Sequence, residues 1–221
     1  MIDNLEIIKP LLNFEEEGDF YMLYLLKRKK DQPEGEKDNH QSVRSIKTYC
    51  IESIDHLERR YDEIKQLCEM FKARAYIHVQ KQNHFDVSLS MMVALAQRIQ
   101  DGNHNQKGLF DSVVGQLKTQ EKRWIVDIDT KDESIISTIT DFINKNCRPI
   151  RTKSENHIHK LDGTFEITYD YVSKVITQIP TKNGVHLITE RFDVMEFKKH
   201  FPDIDIAKKN PTLLFLPNSL S

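Results

Sequence analysis

The sequence predicts an α+β fold built on a mixed or antiparallel sheet, and three observations carry that expectation. Segments of strand length, alternating or continuously apolar, are interleaved with longer stretches whose apolar residues recur at three and four. One pair of apolar segments flanks a long polar stretch as the arms of a hairpin would. The glycine-rich βα turns of a doubly wound parallel sheet do not occur, there being only seven glycines in 221 residues.

The elements follow in order. "FYMLYLLK", Phe20 to Lys27, is aromatic and aliphatic over strand length. "KRKKDQPEGEKDNHQS", Lys27 to Ser42, has no apolar period and contains Pro33 and Gly35, so it predicts a flexible surface loop. "VRSIKTYCI", Val43 to Ile51, alternates as the partner strand. From Ser53 to Lys72, Ile54, Leu57, Tyr61, Ile64, Leu67, Cys68 and Phe71 form one helical face, with Ser53 as N-cap. "RAYIHVQ", Arg74 to Gln80, is a strand. A second helix is expected from about Asp86 to Gln100, with Leu89, Met92, Val93, Leu95, Ala96 and Ile99 as its apolar face and Gly102 as its stop. Gly102 to Glu121 reads as a connection with room for a short helix. The strand "RWIVDID", Arg123 to Asp129, comes next, then a helix over Asp132 to Asn146 carried by Ile135, Ile136, Ile139, Phe142 and Ile143. The last strands lie within "TFEITYDY", "VHLITERF" and "TLLFLP". The division expected is an N-terminal α/β module over 1–120 and a second domain over 121–221.

Composition bounds what such a chain does. With 38% hydrophobic and 30% charged residues it has material for a real core, which excludes a disordered protein. Lys plus Arg number 32 against 34 Asp plus Glu, so an anionic partner has to be met by a local basic patch or by metal. Cys50, Cys68 and Cys147 are widely spaced without a CxxC pair, which predicts buried thiols in a reducing compartment. The start "MIDNLEIIKPLL" is acidic where a signal peptide is basic, and no apolar run approaches the roughly 18 residues of a membrane span. The expectation is a cytoplasmic protein without a membrane partner.

Two stretches carry chemistry. In "RWIVDID" the strand period of two puts Asp127 and Asp129 on one face, where two like charges about 7 Å apart repel. A hard divalent cation takes carboxylate oxygen and offsets that repulsion, and the end of an interior strand opens into a cleft. By itself D-x-D is also what an acidic strand end on a surface looks like. In "IPTKNGVHLIT", Thr181, Lys182, Asn183 and Gly184 form a turn with a hydroxyl, a cation and a glycine free to take a positive φ, leading into a strand that carries His186. Backbone amides in such a turn, with Lys182 and an imidazole beside them, make a place for phosphate oxygens; the plainer alternative is a hairpin turn with a half-buried histidine.

Together, "VDID" and, about 55 residues later, "TKNGVH" entering a strand resemble the catalytic segments of the archaeo-eukaryotic primase superfamily, which includes the primase small subunit and PrimPol-like enzymes. "DIDIAKKNPTLLFLP", Asp203 to Pro217, is similar to that family's third segment. The resemblance implies a minimal catalytic core: an RRM-like palm sheet preceded by the N-terminal module. It implies a nucleotidyltransferase of primase-polymerase type that adds NTP or dNTP to a strand on a nucleic-acid template in DNA replication or repair, with Mg²⁺ or Mn²⁺ as cofactor. By the same resemblance Asp127, Asp129 and Asp203 are the catalytic, metal-holding acids, with Asp193 as the competitor for the third place and Asp205 behind it. Thr181, Lys182, Gly184, His186 and Lys208 are the nucleotide contacts, and Arg191 and Lys209 are further cations near the triphosphate. The N-terminal module would touch single-stranded or primed template through Arg74 and Lys81, and a replication helicase or other replication proteins would be partners. The turn is one residue shorter than the family's commonest form, and 17 positions from His186 to Asp203 leave no room for an inserted module. The alternatives are a metal-dependent nuclease or nucleotide phosphohydrolase, and a catalytically inactive fold relative that binds nucleic acid.

Two other motifs point elsewhere. "KLDGT", Lys160 to Thr164, matches a ligase-type nucleophile motif, but too little chain follows for the rest of that fold, so it reads as a turn. "HIH" sets His157 and His159 on one face if extended, and is expected on a mobile surface loop.

Overall fold

The computed structural model describes residues 1–32, 43–117, 122–159 and 165–220, with 156–159 and 165–168 described by their backbone. The chain divides into two compact units, Met1–Lys122 with Lys209–Ser221, and Arg123–Lys208. In the first lie β1 (Ile2–Asp3), α1 (Leu5–Ile8), β2 (Asp19–Arg28), β3 (Val43–Ile51), α2 (Ile54–Phe71), β4 (Arg74–Ile77), β5 (Gln82–Asn83), α3 (His84–Gln100) and α4 (Leu109–Gln116). The second holds β6 (Trp124–Ile128), α5 (Glu133–Lys145), β7 (Thr152–His159), β8 (Phe165–Tyr171), β9 (Val175–Pro180), β10 (Val185–Thr189), α6 (Val194–His200) and β11 (Asp205–Ala207). The chain then returns to the first unit with β12 (Thr212–Leu216). Residues 209–221, expected with the second domain, therefore belong to the first.

The class is α+β, and of the two sheet types that the sequence leaves open, mixed or antiparallel, every described pair is antiparallel. In the first unit the strand order is β1-β12-β4-β2-β3, with β5 on the start of β2. β2 is apolar on both faces because both are covered. Phe20 and Met22 pack with Val87, Leu109, Val113 and Val114 of α3 and α4, while Tyr21, Leu23 and Leu25, equally buried, point the other way. α2 lies against β2, β3, β4 and β12 and buries Leu57, Tyr61, Ile64 and Cys68. The Ser53 hydroxyl accepts the His56 N–H at 3.0 Å, the N-cap that the sequence predicts.

α3 departs from expectation in the face it buries. Val87, Met91, Ala94 and Leu95 meet the core, whereas Leu89, Met92, Val93 and Ile99, read as the core face, are 50%, 69%, 69% and 54% exposed. The helix is apolar on two sides, and periodicity alone does not say which side the sheet takes. Cys68 and Cys147 are buried thiols and Cys50 is half-buried; all three are free. The tip expected between β2 and β3 falls on 33–42, outside the described residues, as does "KLDGT". His157 and His159 stand on strand β7 rather than on a loop. Among the described residues, no helix is long and apolar enough to cross a membrane.

In the second unit β6, α5, β9, β10, α6 and β11 follow one another as strand, helix, two strands, helix and strand, with the β7-β8 hairpin between α5 and β9. The sheet order is β11-β6-β10-β9. Trp124, Val126, Ile128 and Leu187 face α5 and α6, packing with Ile136, Ile139, Ile143, Phe192 and Phe197. The alternate residues, Asp127 among them, point to the other face. Buried Lys174, just before β9, donates from Nζ to the carbonyls of Ile143 and Asn144 at 2.9 Å each, satisfying the end of α5. Burial lowers the pKa of that ammonium.

Candidate functional site

The acidic strand end is built by three neighbouring strands. β10 pairs with β6 so that His186 stands opposite Asp127, and β11 pairs on the other side so that Asp205 also stands opposite Asp127. Directly opposed residues share a face, so Asp205, Asp127 and His186 form one row across the sheet. The His186 Nε2 lies 3.4 Å from Asp127 Oδ1, with the imidazole 14% exposed and the carboxylate 43%. One like-charge pair and one imidazole contact therefore meet at Asp127, the residue in the middle of the row.

Beside this row opens a cleft of about 250 Å³, lined by Asp127, Asp129, Thr130, Asp203 and Asp205, with Ile128, Ile135, Ile139 and Ile204 as its apolar part. Asp129 lies one residue past the end of β6, and Asp203 lies on the approach to β11. Four carboxylates on one cleft are the oxygen donors that Mg²⁺ or Mn²⁺ takes. Among the described residues no group of three or more His, Cys, Asp or Glu is gathered to hold an ion as it stands. The donor set fits such a cation in kind, and its side chains are not yet closed around one.

Asp193 does not line this cleft; it caps α6, its Oδ1 accepting the N–H groups of Met195 and Glu196 at 3.0 and 3.1 Å. Asp205, ranked third from sequence, is the acid whose register brings it to Asp127. The signal was present in "DIDIA", where Asp205 sits between two isoleucines as an edge-strand residue would. A three-residue strand is too short for periodicity to declare it.

The turn and the strand end are locked together by Gly184. A Cβ built there would lie 1.8 Å from the Ile128 carbonyl oxygen and 2.6 Å from the Thr130 nitrogen. Glycine is needed for that close approach and not for a positive φ, which Gly184 does not have. The Thr181 N–H donates to the Gly184 carbonyl at 2.8 Å, and the Gly184 N–H donates to the Thr181 hydroxyl at 3.1 Å. These two amides close the turn, so Thr181 and Gly184 fix its shape, while Lys182 is exposed on it.

The other expected cations are placed elsewhere. Lys208 lies with its Nζ 5.1 Å from the centre of the Trp124 ring, and Arg191 sits over the same ring at 6.0 Å, at the end of β6 away from the acids. Lys209 donates to the Gly115 carbonyl at 2.6 Å within the first unit. Arg74 is buried and paired with Asp31 at 2.5 Å, which removes it from any surface a strand could touch. Lys81 is held by buried Asp19 at 2.8 Å. Burial opposes ionisation of Asp19, but the bonds from Lys81, the Glu16 N–H and Asn83 outweigh it and hold the carboxyl below its ordinary range. Compared with known proteins, the chain matches no family model, no curated protein and no solved structure.

Proposed function

We propose that the second unit is an RRM-like palm and that its acidic cleft serves metal-dependent nucleotidyl transfer of primase-polymerase type, with NTP or dNTP as substrate. The single observation that carries this reading is the row His186, Asp127, Asp205 beside a cleft lined by two further acids. The strand-helix-strand-strand-helix-strand path with order β11-β6-β10-β9 supports it, being the split βαβ arrangement of such palms. Asp127 and Asp205, with Asp129 or Asp203, are the residues that would hold Mg²⁺ or Mn²⁺. Such an ion, when bound, neutralises triphosphate charge and lowers the pKa of an attacking hydroxyl. Exposed Asp129, Asp203 and Asp205 can turn toward the cleft by rotamer change alone. His186, positioned by the strand and by Asp127, offers its imidazole to a phosphate oxygen, and Lys182 on the adjoining turn adds charge. Gly184 keeps that turn against the strand that carries the acids.

The test uses the purified chain with Mn²⁺, a primed and an unprimed single-stranded template, and labelled NTP or dNTP. Strand extension or initiation is expected. Asp127→Ala and Asp205→Ala should each reduce it on the order of 10²–10³-fold or more, Asp193→Ala should leave its rate per folded molecule near wild type, and His186→Ala should weaken nucleotide binding. A wild type that binds nucleotide yet incorporates none sinks the polymerase reading. A second reading, hydrolysis of a nucleotide without a template, is favoured by one observation: Arg74 and Lys81, the cations expected to meet a template, are both held in ion pairs. The same assay separates the two, since phosphate or pyrophosphate released without strand growth identifies the hydrolase.

A further inference from the structure

The first unit has a cavity of its own, about 70 Å³, lined by residues of β2, β5 and α4 and by those that follow β4. Its floor is apolar, since Met22 and Val114 belong to the cluster that seats α3 and α4 on the sheet. Its walls are polar. The Tyr24 hydroxyl, the His78 imidazole, the Gln82 amide and the Asp111 carboxylate are on it, and among the described residues none of these four groups has a hydrogen-bond partner. Unmatched donors and acceptors around one space are what a ligand with its own polar edge is held by.

Size, shape and charge narrow the class of that ligand. At about 10–15 Å³ for each water the cavity takes about five waters, or one small ring with its substituents. The Tyr24 and His78 rings stand 5.6 Å apart at 68° and so form two sides of a corner, where a flat ligand stacked on one ring turns its edge to the other. Burial keeps His78 neutral at pH 7, its imidazole pushed down to about 4, and Tyr24 keeps its proton, raised to about 12 by burial and by the Asp111 charge. The one charge among the four groups is therefore the Asp111 carboxylate, which turns a phosphate away from the interior, while one carboxylate and one imidazole are too few to hold a metal ion. A neutral flat ring remains, with an N–H group for Asp111 and acceptors for His78 and Gln82.

We propose that this cavity binds a single cytosine base, carried by a free nucleotide or by an unstacked position of a single strand. Cytosine sets an amino group beside two acceptors, N3 and O2, which matches a carboxylate beside two donors. Uracil has an oxygen where cytosine has the amino group and would meet Asp111 lone pair to lone pair. Tyr24 supplies the stacking face. Lys209 is exposed and has one of its three N–H groups on the Gly115 carbonyl at 2.6 Å, which leaves two for the phosphate that follows the base. The site lies in the first unit and does not depend on what the acidic cleft does.

Calorimetric titration of the full chain tests the proposal, with a chelator present so that no metal serves the acidic cleft. Cytidine monophosphate should bind about tenfold or more tighter than uridine monophosphate. Short single strands of deoxycytidine identify the source: tighter binding than the monophosphate means that the base arrives in a strand, weaker binding that it arrives as a nucleotide. Asp111→Asn, isosteric and at an exposed position, should bring uridine level with cytidine at an unchanged thermal midpoint, because an amide also donates to the uracil oxygen. Gln82→Glu should abolish binding, since it sets a second carboxylate against the acceptors of the ring. Asp127→Ala should bind cytidine monophosphate as wild type does. A wild type that binds neither the monophosphate nor the strand overturns the proposal, as does one that takes uridine or adenosine monophosphate equally well. An undiminished preference for cytidine in Asp111→Asn also overturns it, and loss of binding in Asp127→Ala would assign the base to the acidic cleft instead.

Discussion

His78 shows how much one half-buried side chain sets the conditions under which the fold survives. Its ring stands 5.6 Å from that of Tyr24 at 68°, in a small cavity also lined by Gln80, Gln82, Asp111 and Lys209. Burial pushes its imidazole from 6.5 down to about 4. Below pH 6.5 the unfolded chain takes up a proton that the folded chain refuses. The stability tied to neutral His78 is therefore complete above that pH and declines toward pH 4, by up to about 2–3 kcal/mol. The midpoint of denaturant unfolding should fall across that window, and His78→Gln should flatten the fall; a variant that tracks wild type would show that other groups cause it. Asp19 acts in a lower window, since its depressed carboxyl gives up its contribution only as pH drops below its unfolded value of 3.8. Asp127 and His186 are each legible as residues of strong strands, while their meeting in one row is implied in the sequence only by the resemblance and is seen in the register of β6 and β10. The true surroundings of Arg74 and Lys81 are not legible, because Asp31 and Asp19 lie far away in sequence and only the sheet brings them near.

Between elements, what decides is how closely backbones approach. The β9-β10 turn touches the end of β6 through Gly184, so Gly184→Ala must push the turn off the strand that carries the acids. A loss of about 3 kcal/mol or more is expected in chemical denaturation. Gly115→Ala in α4 is the control: nothing lies within 4 Å of a Cβ there, and a gain of about 0.5–1 kcal/mol is expected from helix propensity. Equal effects at the two sites would remove the close approach as the reason for Gly184. Long elements were legible from periodicity, as with α2 and its Ser53 cap or α5 and its isoleucines. α6 has seven residues and β11 three, too few for a period to rise above chance, and so the sequence offers Asp193 as a competing site acid although it caps α6. The sequence places α3 but not its core side: of the expected face only Leu95 packs inward, since both sides of the helix are apolar.

The path of the whole chain makes β12 the most consequential strand of the first unit. All five of its residues are buried, and it lies between β1 and β4, which have no other link in the sheet order. Deleting residues 209–221 should therefore unfold the first unit although the cut is at the far end of the chain. Loss of its protease resistance, with the segment 123–208 still protected, is the expected result; an intact first unit would mean that β12 is dispensable. No local pattern announces this, because "TLLFLP" reads as a strand without saying which sheet receives it. The second unit is in effect an insertion within the first, and that arrangement fixes an order of events at the ribosome. With synthesis at about 5–20 residues per second, the acidic-cleft unit has all its strands several residues before the first sheet can receive its own. On nascent chains arrested with residue 208 just outside the exit tunnel, protection from protease should appear over 123–208 while 1–122 is still cut, so that the unit with the acidic cleft matures before the one that encloses it in sequence.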